Sequence, residues 1–401
     1  MGECVDEMKN GRWAELDHDL LNEIVLKLNY CYDDYIGIRG VCREWKMALP
    51  KVPCLVLPFS EDNTLETHLA HRKIYHIRFP QLRGTKIRGS SHGWLITVGM
   101  DDTLRMINPL NPNQHFFLPP LSTLPHVVSY HPHEVDKEYL LQEFGDDIIY
   151  PVEKVHMQKS FQVQKVILSS PPDDNNPDFM VIVIFSTLCR LAFCRHDSNK
   201  WIDIPKLGKI EYRYNYKDAI FHEGKIYVID FKGQLFESSL KKGGIPLPSI
   251  RKAPPPPLFD TQGNPHYNQA YLIGCPEGGL IMVARNFNYY AVEEHYPCCY
   301  NSVKFDIYRM SNVNTKQWSR VFKLENGAIF IGLNSSIWMT NHTLLPHGQR
   351  NNIYYTDNNL ECHYLKLLGG NDVGMFNMDE GTICRFFPNS HLLCPPPVWW
   401  L

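Results

Sequence analysis

From about residue 55 to the C-terminus, the 401-residue chain is written in short apolar runs divided by turn residues. "GWLITV" (93–98), "FMVIVIF" (179–185), "GKIYVID" (224–230), "GGLIMVAR" (278–285) and "NNIYYTD" (351–357) are such runs. They are rich in β-branched and aromatic residues and bounded by Gly, Asn, Asp or Pro, which is the pattern of strands. Nowhere in this stretch do strands alternate with helical periodicity. That argues against a Rossmann or TIM architecture, which needs a helix between parallel strands.

A unit recurs within the pattern: an apolar strand, a turn, then a strand that ends in a polar turn and a tryptophan. "RHDSNKW" (195–201) and "RMSNVNTKQW" (309–318) carry it, and the stretch from Ile107 to Leu118 occupies the same place in an earlier unit. Small antiparallel units of roughly 40–55 residues predict a β-propeller of about six blades, with the tryptophans seated between blades. A large β-sandwich or barrel is the alternative that strand spacing leaves open. Two segments interrupt the repeat. Residues 127–160 read as an insertion on a blade face or a poorly ordered excursion. Residues 243–266 carry a four-proline run at 254–257 and read as a stiff connection between blades. Loops of this kind, gathered on one face, are the expected place for a binding partner.

The first fifty residues have another texture. Leu16, Leu20, Leu21, Ile24, Val25 and Leu28 recur with helical spacing, and Asp19, Asn22, Glu23 and Lys27 fill the other side. Asp17 is the expected N-cap. A second helical stretch, capped by Asp33 or Asp34, carries Ile38, Val41, Cys42 and Trp45 on one face and is stopped by Pro50 and Pro53. So few residues bury too little to be stable without help. The pattern leaves two readings open: a helical cap packed on the larger domain, or a docking surface for a partner's helices. The expected division is a disordered terminus at 1–12, a helical unit at 13–53 and the propeller at 54–401.

"GSSHG" (89–93) is a literal G-x-S-x-G, which in an α/β-hydrolase marks a serine on a turn between a strand and a helix. Here "WLITV" follows, and these are β formers. The glycines therefore read as a turn into a strand, and no catalytic residue is assigned. His131-Pro132-His133, Cys362-His363 and the trio His68, His71 and His76 lack the spacing of a structural zinc site. No phosphate-binding or dinucleotide motif occurs, so no metal and no cofactor are expected. A net charge of -3 gives no pull toward nucleic acid or an anionic membrane, and the longest apolar run is far too short to span a bilayer. The amino terminus has no apolar leader, so the 12 cysteines read as reduced thiols and the expected location is the nucleus or cytoplasm.

The stretch "LDHDLLNEIVLKL…DDYIGIRGVCREWKMAL" resembles an F-box, with Leu16, Asp19-Leu20-Leu21, Ile24, Leu28, Arg39, Val41-Cys42-Arg43 and Trp45 at the motif positions. It departs from the motif at Asp17, where proline is usual. "GSSHGWLITV…INPLNPNQHFFLPPL", "YKDAIFHEGKIYVID", "IFIGLNSSIWM", "NNIYYTD" and "DVGMFNMDEGTI…PPPVWW" are similar, in order, to the plant domain of unknown function 295, a kelch-like propeller that often follows an F-box. The resemblance implies a non-catalytic substrate receptor of a Skp-cullin-F-box ubiquitin ligase. It implies a Skp-family adaptor as partner, through it a cullin-RING ligase, and an unidentified protein substrate on the propeller. The residues it assigns to the adaptor are Leu16, Leu20, Ile24, Leu28, Val41, Cys42 and Trp45. The rivals are a propeller binding protein without a ligase role, a serine hydrolase at Gly89–Gly93, and a kelch-type oxidase.

Overall fold

A computed structural model describes residues 15–27, 32–49, 52–57, 74–79, 82–142, 148–159, 163–172, 178–204, 215–239, 247–253, 256, 269–290, 299–311, 317–324, 327–339, 350–358, 372–387 and 396–401. Three short helices come first: α1 (His18–Leu26), α2 (Tyr32–Arg39) and α3 (Arg43–Ala48). Strands β1 (Cys54–Val56) and β2 (His76–Ile77) follow. The next sheet is β3 (Lys86–Ser91), β4 (Trp94–Val98), β5 (Leu104–Asn108) and β6 (Asn111–Leu118). After it come β7 (Val127–Tyr130), β8 (Tyr139–Leu141) and β9 (Tyr150–Val152). A four-stranded sheet is formed by β10 (Val163–Leu168), β11 (Met180–Phe185), β12 (Arg190–Arg195) and β13 (Ile202–Asp203), and another by β14 (Tyr216–His222), β15 (Lys225–Asp230), β16 (Leu235–Ser239) and β17 (Leu247–Ala253). A further one holds β18 (Gln269–Gly274), β19 (Leu280–Tyr290), β20 (Cys299–Met310) and β21 (Ser319–Val321). The last large sheet combines β22 (Ala328–Ile331), β23 (Ile337–Met339), β24 (Asn352–Tyr355), β25 (Gly374–Asn377) and β26 (Thr382–Arg385) in the order β23-β22-β24-β25-β26. The final strand, β27 (Val398–Trp400), pairs with β1 near the other end of the chain.

These sheets form a ring. The innermost strands β27, β3, β10, β14, β18 and β23 touch in that order. Among the described residues an apolar cluster fills each gap between successive sheets. Six sheets around one axis make the propeller that the repeat predicts. Each blade is therefore apolar on both faces, which is why "FMVIVIF" is a continuous run. In β11 Met180, Ile182 and Ile184 face the next blade, while Val181, Val183 and Phe185 face the previous one. The repeating tryptophans are seated between blades: Trp201 donates its indole N–H to the Pro119 carbonyl at 3.0 Å, and Trp318 packs against the cluster between the β14–β17 and β18–β21 sheets.

The ring is closed by the sheet β2-β1-β27, which joins the first strands of the propeller to its last. Its faces alternate residue by residue. Leu55, Leu57 and Trp399 pack on the β22–β26 sheet, while Cys54, Val56, Val398 and Trp400 turn toward Ile87 and Leu95 of the β3–β6 sheet.

The structure amends three expectations. Residues 127–142 and 148–159 fall between blades, not on a blade face. They contain the small sheet β7-β8-β9, whose Tyr139 and Leu141 are wedged with Leu121, Leu124 and Met157 into the gap between β3–β6 and β10–β13. Residues 247–253, expected to lie in a stiff connection, form β17, which pairs with β16; most of the proline run lies outside the described residues. The second helical stretch is two helices. Gly40 and Val41 leave the helical path, and Cys42 restarts it as N-cap of α3, its Sγ accepting from the Trp45 N–H at 3.4 Å. Residues 1–12 and Leu28 lie outside the described residues.

Gly89 shows how closely the inner strands approach. A Cβ there would stand 2.8 Å from the Val166 carbonyl oxygen and 3.3 Å from that of Leu333, both backbone atoms of other blades. Gly89→Ala should therefore destabilise the fold by about 1–3 kcal/mol through overpacking. Gly37, inside α2 with nothing within 4 Å of its would-be Cβ, is the contrast. Gly37→Ala should stabilise by about 0.5–1 kcal/mol. Denaturant unfolding of the two variants checks both signs.

Candidate functional site

The helical unit presents two apolar stripes with different fates. Asp17 starts α1 as expected, its carboxylate accepting from the Asp19 N–H at 2.8 Å. Leu21 and Val25, one turn apart, are buried. The neighbouring stripe turns outward: Leu20 is 56% exposed and Ile24 is half-buried. Sequence periodicity joined these stripes into one face, and the fold divides them.

The rest of the unit divides in the same way. Trp45 is buried with Tyr35 and Leu49, whereas Val41, in the break between α2 and α3, is 56% exposed. Leu16 and Cys42 are half-buried against the inner cluster. Of the residues assigned to an adaptor, then, Leu20, Val41 and the outer edge of Ile24 are available to a partner. Trp45 supports them from within. One residue was missed: Met47, 77% exposed on α3. Its position was legible, because two residues from the inward Trp45 is roughly the opposite side of a helix.

The inner stripe does not close on itself. Leu21, Val25, Tyr35, Trp45 and Leu49 belong to one cluster with Val52, Cys54, Val56, Tyr75, Ile77, Val398 and Trp400 of the closing sheet. The rings of Tyr35 and Tyr75 lie 5.1 Å apart between α2 and the start of β2. The helices thus rest on the end of the sheet where Cys54 pairs with Trp400.

The serine of the G-x-S-x-G pattern lies deep in the ring. Ser91 ends β3 and is buried. Its Oγ accepts from the Leu168 N–H at 3.3 Å and lies 2.8 Å from the donating Ser335 hydroxyl, so it ties three blades together. A two-residue turn comes next, with His92 at φ 51 and Gly93 at φ 81, and leads directly into β4. Positive φ at both positions is what a tight hairpin of this hand requires. Glu223 and Gly224 repeat the device between β14 and β15. The arrangement is strand–turn–strand, without the helix start that would furnish an oxyanion hole.

Other buried polar groups are also spent on joining blades. Lys165 on β10 meets Asp218 on β14 at 2.6 Å, and Asp218 also accepts from the Leu272 N–H of β18 at 2.8 Å. Burial pushes the Asp218 carboxyl above its usual range, with Lys165 opposing the shift. Arg285 is fully buried and donates to Ser302, Tyr271, the Thr356 carbonyl and Asp372, the last at 2.7 Å. Tyr355 flanks it with its ring centroid 4.6 Å away. Burial disfavours the charged guanidinium, but Tyr271 and Asp372 more than offset this and raise its pKa. Asn334, of the "NSS" sequon, is fully buried and donates to two backbone carbonyls. Among the described residues, no three His, Cys, Asp or Glu are grouped to hold a metal ion.

Comparison with known proteins adds a family. The KIB1-4 beta-propeller family model matches residues 64–377. The chain is 24% identical to the F-box protein SKIP23 of Arabidopsis thaliana, over 96% of this chain and 95% of that one. It is 23% identical to the Arabidopsis F-box protein At2g26160, over 88% of this chain and 97% of the relative. The plant F-box resemblance and the propeller reading are both met.

The buried pair at Arg285 allows a direct check of what it does. Asp372→Ala leaves the guanidinium uncompensated and should cost about 3–5 kcal/mol, seen as a large fall in the unfolding midpoint. A fluorophosphonate serine probe should leave Ser91 unlabelled in the folded chain; covalent labelling there would overturn the structural role given to its hydroxyl.

Proposed function

From the premise that the chain belongs to the KIB1-4 β-propeller family, we propose that it is the substrate-recognition subunit of a Skp-cullin-F-box ubiquitin ligase. Residues 13–53 act as the F-box and 54–401 as the receptor, working in the nucleus or cytoplasm. The observation that carries the reading is the division of the helical unit. Its inner stripe is locked onto the propeller, while Leu20, Val41 and Met47 are left exposed in the segment that resembles an F-box. Large apolar side chains held outward on a fixed support are what a partner's helices would bury.

The chain itself supplies no transfer chemistry in this role. It raises the local concentration of a bound protein near the ubiquitin-charged enzyme that the adaptor and cullin bring. The helices and the His92–Gly93 turn mark one end of the ring, since the Leu401 carbonyl oxygen lies 3.3 Å from where a Cβ on Gly93 would be. The β4–β5 turn at 99–103 and the β11–β12 turn at 186–189 lie at the other end of their strands. That end is the proposed substrate face, with Met100 exposed on it.

A second reading has one observation in its favour. The continuous cluster under the helices is also what a mere N-terminal cap would show. One experiment separates the two. The double variant Leu20→Ala, Ile24→Ala alters the outer stripe and spares Leu21 and Val25. It should weaken binding of the full chain to a Skp-family adaptor at least about tenfold. Its unfolding midpoint should fall only modestly, since Leu20 is exposed and Ile24 is only half-buried. Undiminished co-purification with the adaptor would favour the cap.

A further inference from the structure

The floor beneath the adaptor-facing helices is supplied by the last residues of the chain. β27 pairs in register with β1: Cys54 with Trp400, Leu55 with Trp399, Val56 with Val398. Trp399 turns toward the β22–β26 sheet, and Val398 and Trp400 turn to the other side. On that side they join Leu21 and Val25 of α1, Tyr35 of α2 and Trp45 of α3 in one buried cluster. Phe79 closes over Trp400 edge to face, with centroids 6.4 Å apart. The inner stripe that fixes α1 therefore packs, in part, on side chains encoded more than 370 residues later (from Val25 to Val398).

We infer that the helices adopt their docking geometry only when the C-terminal strand has closed the propeller, so that ring closure and adaptor binding are thermodynamically coupled. This rests on the ligase reading above. The physical reason is short. The helices are small, their core is completed by the closing sheet, and that sheet lacks its axial strand until β27 pairs. During synthesis the helices emerge long before Trp400, so a truncated or open receptor lacks the support its adaptor surface needs. Linkage makes the effect reciprocal: adaptor binding stabilises the closure, and a substrate that holds the ring shut tightens adaptor binding.

The test uses the full chain and a Skp-family adaptor. In the wild-type protein, saturating adaptor should slow amide hydrogen exchange in β1 and β27, with β11 and β12 unaffected. This arm needs no variant. In parallel, Trp400→Ala should weaken adaptor binding at least about tenfold. Ile182→Ala, which opens a core cavity between the β10–β13 and β14–β17 sheets, should change it less than about twofold. Wild-type binding with unchanged exchange in β27 overturns the coupling and leaves the ligase reading intact. Full affinity in Trp400→Ala does the same. No adaptor binding by the wild-type chain overturns the ligase reading, and the coupling with it.

Discussion

The pairing of β27 with β1 is the contact on which the other contacts depend. Each blade is apolar on both faces, and burial on both faces is possible only in a ring without a gap. Were the closing sheet undone, the facing sides of the β3–β6 and β22–β26 sheets would meet water, and Trp399 and Trp400 with them. Both indoles are at least 98% buried in the closed ring. Burying one large apolar side chain contributes roughly 1.5–3 kcal/mol, so a single open gap removes a large fraction of a marginal stability. Joining the first strand of the propeller to its last also removes the free faces that would invite association with other chains.

Much of this architecture is legible in the sequence, for reasons that particular residues make plain. A strand buried on both faces writes itself as an unbroken apolar run, as Met180–Phe185 does. A two-residue hairpin needs positive φ twice, and "HG" at 92–93 and "EG" at 223–224 announce it. Closure is not legible, because a pairing between residues 54–56 and 398–400 leaves no local period. The sheet β7-β8-β9 is hidden for a different reason: its strands are only three or four residues long, too short for a period to show. The break after Arg39 is concealed because Ile38 and Trp45 happen to keep helical spacing across it, and because cysteine is an unusual cap for α3.

The proposed docking surface was legible as a motif but not as a surface. Leu20 and Leu21 are the same residue type side by side, and composition cannot say which is outward. The decision is made by the propeller, which offers its closing sheet to one stripe and water to the other. The same holds for the G-x-S-x-G pattern. Its letters are those of a nucleophile, but Ser91 is placed by β3 beside Leu168 and Ser335, where its hydroxyl is used up in joining blades. Local letters carried the turn correctly and the chemistry not at all.

The buried ion pairs bear on the proposed role through rigidity. Lys165–Asp218 and Arg285–Asp372 each cross from one blade to another, and each is supported by further hydrogen bonds. Such pairs are weak evidence for stability, since desolvation opposes the attraction, but a displaced blade would leave a charge buried and unpaired. The penalty is steep against small relative motions of the blades, so the buried pairs favour one arrangement over its neighbours. A tether works best when its length matches the distance to be spanned and its ends do not wander. In the proposed receptor, whose helices share a core with the closing sheet and whose blades are pinned by buried ion pairs, the distance between the proposed adaptor and substrate ends would be set by the fold. A flexible linker between two independent domains would leave that distance to chance.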